Sequence, residues 1–363
     1  MRIGVLWWEL PSYLSACLRV LAERHNVEIL AVRRKVNSKH QWSDSLFSWM
    51  DRLETLPDDA VVKRWHYLKQ VMLDFQPTVL LSSGWTIPEY WFAARWAKQR
   101  GITTICCLDT RWRGSVKQLL TIRLSRLLVR SFDYLWVPGP LQAAYGRRLG
   151  FDDSRILYNF YCADTITFGE AAERRVHILE QNPYPRRFLF VGMFAPWKGI
   201  QELMEGFRLY RQLASDPWEL WCVGGGPEEA LLKEQPGVLV YPFLQPKELA
   251  EIYAQAGIFV LPSLREPHGV VVHEAATVGL PILCSHRAGA ALDFVRDGYN
   301  GFLFDPSDTR YLAHLMVYMS SGKVDLRLMG ERSRLLAGQL ICERWADYLI
   351  EMLSLKGNYL RQS

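Results

Sequence analysis

Leu261-Pro262-Ser263-Leu264-Arg265-Glu266-Pro267-His268-Gly269-Val270-Val271-Val272-His273-Glu274-Ala275-Ala276-Thr277-Val278-Gly279-Leu280 is the stretch on which the reading of this chain turns. An apolar strand ends at Leu261, a loop carries Glu266, and Gly269 opens a helix that stops near Gly279. A strand running into a helix through such a loop is half of a βαβ unit. Seven residues separate Glu266 from Glu274. Glu266 therefore stands at the helix entrance, and Glu274 lies about one and a half turns inside, at ~3.6 residues per turn. The N–H groups of Gly269, Val270 and Val271 have no intrahelical acceptor and can hold an anion between them. His268 and His273 give the stretch a metal-ligand look. A zincin helix needs His-Glu-x-x-His, however, and the second histidine position is Thr277, so no metal is expected.

The flanking segments repeat the pattern. Phe190-Val191-Gly192-Met193-Phe194-Ala195-Pro196-Trp197-Lys198-Gly199 reads as a strand ending at Gly192, a loop, and a helix from near Gly199. Lys198 stands beside that helix N-terminus, where it is suited to a phosphate, although alone it reads equally well as a solvated surface residue. Cys222-Val223-Gly224-Gly225-Gly226-Pro227 is a strand, three glycines and a proline at a helix start; it is neither G-x-G-x-x-G nor a P-loop, and taken alone it is a tight turn. Further strands are expected at 238–241 and 282–284. The N-terminal half alternates likewise, with strands at 2–8, 27–32, 78–82, 102–108 and 134–137. Its helices start at Ser12 and run over 58–75, 88–100 and 116–130, with Ser12 and Ser115 as N-caps. Residues 36–58 read as polar and irregular.

Strands alternating with helices imply parallel sheets: an α/β chain of two Rossmann-like, doubly wound domains facing a central cleft. The first domain is set at residues 1–165, a linker containing Asn182-Pro183-Tyr184-Pro185 at 166–186, and the second domain at 187–342. A C-terminal helix at about 343–363 is expected to pack back on the first domain.

The chain has 363 residues, 49% hydrophobic and 22% charged, which suffices for two cores and excludes a disordered chain. No apolar run approaches the ~20 residues of a membrane span. The N-terminal apolar run is too short for a signal peptide and lacks a small-residue cleavage site. Seven cysteines without a C-x-x-C pair, most of them in apolar runs, point to free thiols in a reducing cytoplasm rather than to disulfides or zinc. A net charge of +5 is too small to argue for nucleic acid, and suits an anionic small substrate or an anionic membrane surface.

Together these segments resemble family 4 retaining glycosyltransferases of the GT-B fold. Glu266 to Ala275 resembles that family's Glu-x7-Glu motif, and Phe190 to Gly199 its phosphate loop. Gly224 to Pro227, Ser285-His286-Arg287-Ala288-Gly289 and Asp297-Gly298-Tyr299-Asn300-Gly301-Phe302 match the motif's usual neighbours. The match is close over about 186–310 and looser before it. The resemblance implies transfer of a hexose-type sugar, with retention, from a nucleoside-diphosphate sugar to an acceptor hydroxyl. It implies that Glu266 contacts the donor sugar, Glu274 the ribose and Lys198 the diphosphate. Gly192, Gly224, Gly225 and the amides of Gly269, Val270 and Val271 would line the donor. A UDP-sugar is favoured over a GDP- or dTDP-sugar, and no cofactor or metal is expected. The implied context is surface polysaccharide, lipopolysaccharide or glycolipid biosynthesis in the cytoplasm or at the inner membrane face.

The departures are specific. Met193 replaces the family's second loop cation, which leaves Arg287, Arg111 or Arg113 as substitutes. Trp8 to Tyr13 replaces the glycine-rich turn after the first strand and makes Ser12 and Tyr13 acceptor-side candidates. Asp109 stands where many members have a histidine; it reads either as a sugar-orienting catalytic group or as the cap of a turn. Trp85 and Trp112, at strand ends, and Arg111 and Arg113 complete the acceptor side, with a glycan or lipid-linked acceptor. The 116–130 helix, with Lys117, Arg123, Arg126 and Arg130 among leucines, reads first as core-packed with a solvated basic edge and second as a membrane-surface helix. A catalytically weak nucleotide-sugar-binding protein and a same-fold epimerase are the alternative functions.

Overall fold

A computed structural model describes residues 1–34 and 42–359. The chain forms two compact units. Of the described residues, the first unit holds 1–34, 42–162 and 342–359, and the second holds 163–341.

The first unit runs β1 (Arg2–Trp7), α1 (Ser12–His25), β2 (Glu28–Arg34), β3 (Arg52–Leu56), α2 (Val61–Phe75), β4 (Val79–Ser82), α3 (Pro88–Lys98), β5 (Thr103–Cys107), α4 (Val116–Leu128), β6 (Tyr134–Trp136), α5 (Pro140–Leu149) and β7 (Ile156–Leu157). Its seven strands pair in parallel in the order β3-β2-β1-β4-β5-β6-β7. β4 is buried at every residue, as a parallel strand covered on both faces must be. β3, at the sheet edge, is mostly half-buried.

The second unit runs α6 (Thr165–Gln181), β8 (Arg187–Met193), α7 (Ile200–Leu213), β9 (Glu219–Gly225), α8 (Glu229–Lys233), β10 (Val238–Tyr241), α9 (Pro246–Gln255), β11 (Ile258–Leu261), α10 (Val270–Val278), β12 (Ile282–Ser285), α11 (Ala291–Phe294), β13 (Gly301–Phe304), α12 (Thr309–Ser320) and α13 (Leu326–Ala337). Six parallel strands follow the order β10-β9-β8-β11-β12-β13. β11 and β12 are wholly buried.

The last helix, α14 (Cys342–Tyr359), returns to the first unit and packs on α1. Trp345 stacks on Trp136 at 4.7 Å and donates its indole N–H to the Phe160 carbonyl at 2.8 Å. Asp347 receives Arg24 at 2.6 Å and His25 at 2.8 Å.

Several expectations change. Pro11, not Ser12, takes the N-cap of α1, and Ser12 is its first helical residue. Ser115 does cap α4, its hydroxyl accepting from the Gln118 N–H. The 36–58 stretch is not irregular throughout: Arg52–Leu56 joins the sheet edge as β3, while residues 36–41 lie outside the described residues. The 166–186 segment is largely helix. α6 buries Phe168, Ala171 and Ala172, and Asp164 caps it by accepting from the Thr167 N–H. α5, β7 and β13 were not foreseen. Pro227 lies in a turn ahead of α8 rather than at its first residue.

Candidate active site

In the second sheet the strand order reverses between β8 and β11. Ligands of doubly wound sheets bind beyond the carboxyl ends of the strands at such a point. The two loops there are those of Lys198 and Glu266. Gly199 takes φ +74°, and a Cβ on it would stand 2.2 Å from the Pro262 carbonyl oxygen, so only glycine lets the loops meet. The Arg265 N–H donates to the Trp197 carbonyl at 3.0 Å and ties them again. This contact delivers an ion pair: Lys198 Nζ donates to Glu266 Oε2. Ser263 Oγ also approaches Glu266 Oε2, at 3.5 Å. Glu266 is buried, and Lys198 is mostly shielded. The loop after β12 closes on the other side, where Glu266 bridges to Ala288 and the Ala290 N–H donates to the His268 carbonyl at 2.8 Å.

Gly192 belongs to the same group, since a Cβ there would stand 4.0 Å from Lys198 Cε. Gly224 pairs in register with Gly192, and its Cβ would meet the Gly192 carbonyl at 2.0 Å; Gly225 faces open space. Gly269 caps α10 at φ +96°, and half-buried Val270 and Val271 form the helix's first turn, whose N–H groups lack intrahelical acceptors. An ammonium, a carboxylate and a helix start thus converge. The first and last suit an anion, and the carboxylate supplies acceptors for hydroxyl groups.

Glu274 lies within α10 and has its own partner. Tyr253 on α9 donates its hydroxyl to Glu274 Oε2 at 3.0 Å. Burial pushes the Glu274 carboxyl up from 4.5 to about 7, opposed by the Tyr253 bond and helped by nearby Asp164. Burial also pulls the His268 imidazole down to about 3, with His273 adding to the effect. His273 is structural: its ring stacks on Phe294 at 4.1 Å, and Nδ1 accepts from the Ala163 N–H at 3.0 Å. The buried Nδ1 acceptor fixes Nε2 as the donor, towards the Ala337 carbonyl at 3.4 Å. Both ring nitrogens of His273 are thus taken up within the fold. Among the described residues the three-ligand cluster is Cys17, Cys162 and Cys342, buried thiols of the first unit. Burial raises the Cys17 thiol well above its ordinary value, so it stays protonated.

In the first unit the order reverses between β1 and β4. Asp109 follows β5 and accepts from the Tyr161 hydroxyl at 3.0 Å. Tyr161 also meets the Tyr13 ring edge-on at 5.5 Å, and its own hydroxyl is held protonated by burial, with Tyr13 and Asp109 adding to the effect. Gln118 accepts from the Arg113 N–H and donates to the Arg111 carbonyl, fixing the loop of Arg111, Trp112 and Arg113.

Two family models match this chain: "Glycosyl transferase 4-like domain" over residues 12–160 and "Glycosyl transferases group 1" over 173–335. The resemblance to glycosyltransferases thus extends over most of both units. It is 40% identical over 93 residues to the sulfoquinovosyl transferase SQD2 of Arabidopsis thaliana, covering 24% of this chain and 18% of that one. It is 34% identical over 120 residues to a GDP-mannose-dependent alpha-mannosyltransferase of Corynebacterium glutamicum, covering 33% and 27%. The matched stretch thus spans less than a third of either relative. In fold it is similar to Anabaena HepE, solved in complex with UDP and glucose, with a TM-score of 0.77, 16% identity and 98% and 99% of the two chains covered.

Among the acceptor-side and loop candidates one expectation is corrected, and two residues have partners of their own. Trp85 is no surface platform: it is buried in the first unit's core. Trp112 is half-buried against Tyr145, with Arg148 over its ring at 4.8 Å. Arg287, a candidate substitute for the missing loop cation, is bound to Asp305 at 2.8 Å and Ser307 at 3.0 Å. Four residues were missed. Tyr161 holds Asp109 from 52 positions away, and Tyr253 holds Glu274 from 21 away, pairings no local motif announces. Exposed Arg265 adjoins Glu266 in sequence. Glu228, buried, accepts from Gln201 at 2.7 Å. A concavity of about 660 Å³ lined by Arg187, Trp218 and Glu219 lies at the strands' amino-terminal end, opposite the candidate residues.

Proposed function

We propose that this chain transfers a hexose-type sugar, with retention, from a nucleoside-diphosphate sugar to an acceptor hydroxyl. The observation that carries the reading is the Lys198–Glu266 pair held at the reversal point of the second sheet, beside the start of α10. In this reading Lys198 and the amides of Gly269, Val270 and Val271 offset charge on the departing diphosphate, without a metal. Glu266 orients sugar hydroxyls and opposes positive charge developing at the anomeric carbon. Glu274 takes the ribose hydroxyls. Asp109, braced by Tyr161, acts on the acceptor side together with Ser12, Tyr13, Arg111 and Arg113. The HepE complex with UDP and glucose supports a UDP-sugar, and the mannosyltransferase relative keeps a GDP-sugar in the test. The acceptor is a glycan or a lipid-linked glycan of surface polysaccharide or glycolipid assembly.

A thermal-shift screen of UDP-, GDP- and dTDP-sugars identifies the donor, because a ligand at about a hundred times its Kd stabilises by ~2.7 kcal/mol. Release of the nucleoside diphosphate, by transfer or hydrolysis, is then measured with the donor that binds. Binding without turnover would make the chain a nucleotide-sugar-binding protein. Conversion of the donor to its epimer would make it an epimerase.

A further inference from the structure

α4 contradicts the expectation of a core-packed helix. Within it only Ser125 is buried. Val116 is 72% exposed, Leu119 57%, Leu120 78%, Leu124 58% and Leu127 57%. At about 100° per residue these five occupy an arc of roughly 140° centred opposite Ser125. Ile122 and Leu128 face the core, and Trp91 donates its indole N–H to the Leu128 carbonyl at 3.0 Å, so the helix is anchored by its other side. Arg126 and Lys117 flank the apolar arc and Arg123 stands within it. Residues 111–130 carry six basic and no acidic side chains.

We infer that this face of α4 docks on an anionic phospholipid surface. Leucines facing outward between flanking cations are the pattern of a helix lying in the membrane interface. The cations meet lipid phosphates while the leucines enter the acyl boundary. A second copy is a poorer occupant, since a two-fold contact lays a face on itself and would bring Arg123 and its neighbours against like charge. Among the described residues no helix is long and apolar enough to cross a membrane, so the contact is lateral. The inference stands on α4 alone and does not need the donor assignment.

The test is co-sedimentation of the full chain with vesicles of phosphatidylcholine alone or mixed in equal parts with phosphatidylglycerol. The protein is expected to pellet with the mixed vesicles only, and to be released as salt rises. The double variants Leu120→Glu/Leu124→Glu and Lys117→Glu/Arg123→Glu should each lose vesicle affinity by about tenfold or more while melting as wild type does. No wild-type binding overturns the inference, as does equal binding to both vesicles or undiminished binding by both variants. A dimer that ignores vesicles and is dissociated by the leucine variant assigns the face to a second copy instead.

Discussion

Replacing Glu274 by glutamine removes a titration while keeping the shape and an acceptor oxygen for the Tyr253 hydroxyl. In the folded chain burial holds the Glu274 proton until about pH 7, whereas an ordinary glutamate releases it near 4.5. Between those values the folded state binds more protons than the unfolded, so Glu274 makes stability fall as pH rises. The gap from 4.5 to about 7, at 1.36 kcal/mol per pKa unit, is about 3 kcal/mol, fully lost by about pH 8. His268 works oppositely: burial lowers its imidazole from 6.5 to about 3, and the unfolded chain takes the proton between them. That histidine is common to both proteins, so the difference between variant and wild type isolates Glu274. Scanning calorimetry of both from pH 4 to 8 should show Glu274→Gln gaining about 3 kcal/mol relative to wild type. At ~2–4 °C per kcal/mol for a unit of this size, that is a relative gain of roughly 6–12 °C. A difference that stays flat across this range would refute a buried, proton-holding Glu274.

Lys198→Ala should weaken nucleoside diphosphate binding by about 1.5–3 kcal/mol, the range for hydrogen bonds to charged groups; an unchanged Kd in calorimetric titration removes Lys198 from the site. Glu266→Gln should lower turnover roughly a hundredfold with KM for the donor moving less, since its work belongs to the transition state. Steady-state rates within a factor of about two, the scale of an idle surface carboxylate, would sink that assignment. Asp109→Asn should leave donor affinity within about threefold and cut turnover more than tenfold, over ~1.4 kcal/mol of barrier. Tyr161→Phe should follow it, whereas melts that fall in step with the rates would make the pair structural.

Strands that are apolar throughout are legible in the sequence: Ile258–Leu261, which leads into the Glu266 loop, and Val238–Tyr241, at the sheet edge, have the bounds that composition predicts. Arg52-Leu53-Glu54-Thr55-Leu56 hid because a half-buried edge strand can carry charge. α6 read as a linker because its buried face is mostly small, Ala171 and Ala172, with Arg175 buried beside them. Arg175 donates to the Ala254 carbonyl, a partner only the fold supplies. Lys198, Glu266, Gly269 and Gly192 were each legible as local motif residues, and the fold adds that they touch. Trp85 and the α4 leucines were misassigned for one reason. Apolar character says that a side chain avoids water, and not which surface relieves it.

The first unit is closed by α14, which the chain supplies only after the second unit is complete. Synthesis proceeds at about 5–20 residues per second, so roughly 10–40 s separate the emergence of β7 from that of α14. During that interval the indole of Trp136 waits without Trp345, and α1 waits without the helix that covers it. The unit begun first is therefore finished last, while residues 163–341 leave the ribosome as one unbroken run. A premature stop just before Cys342 would spare the second unit and leave the first permanently open.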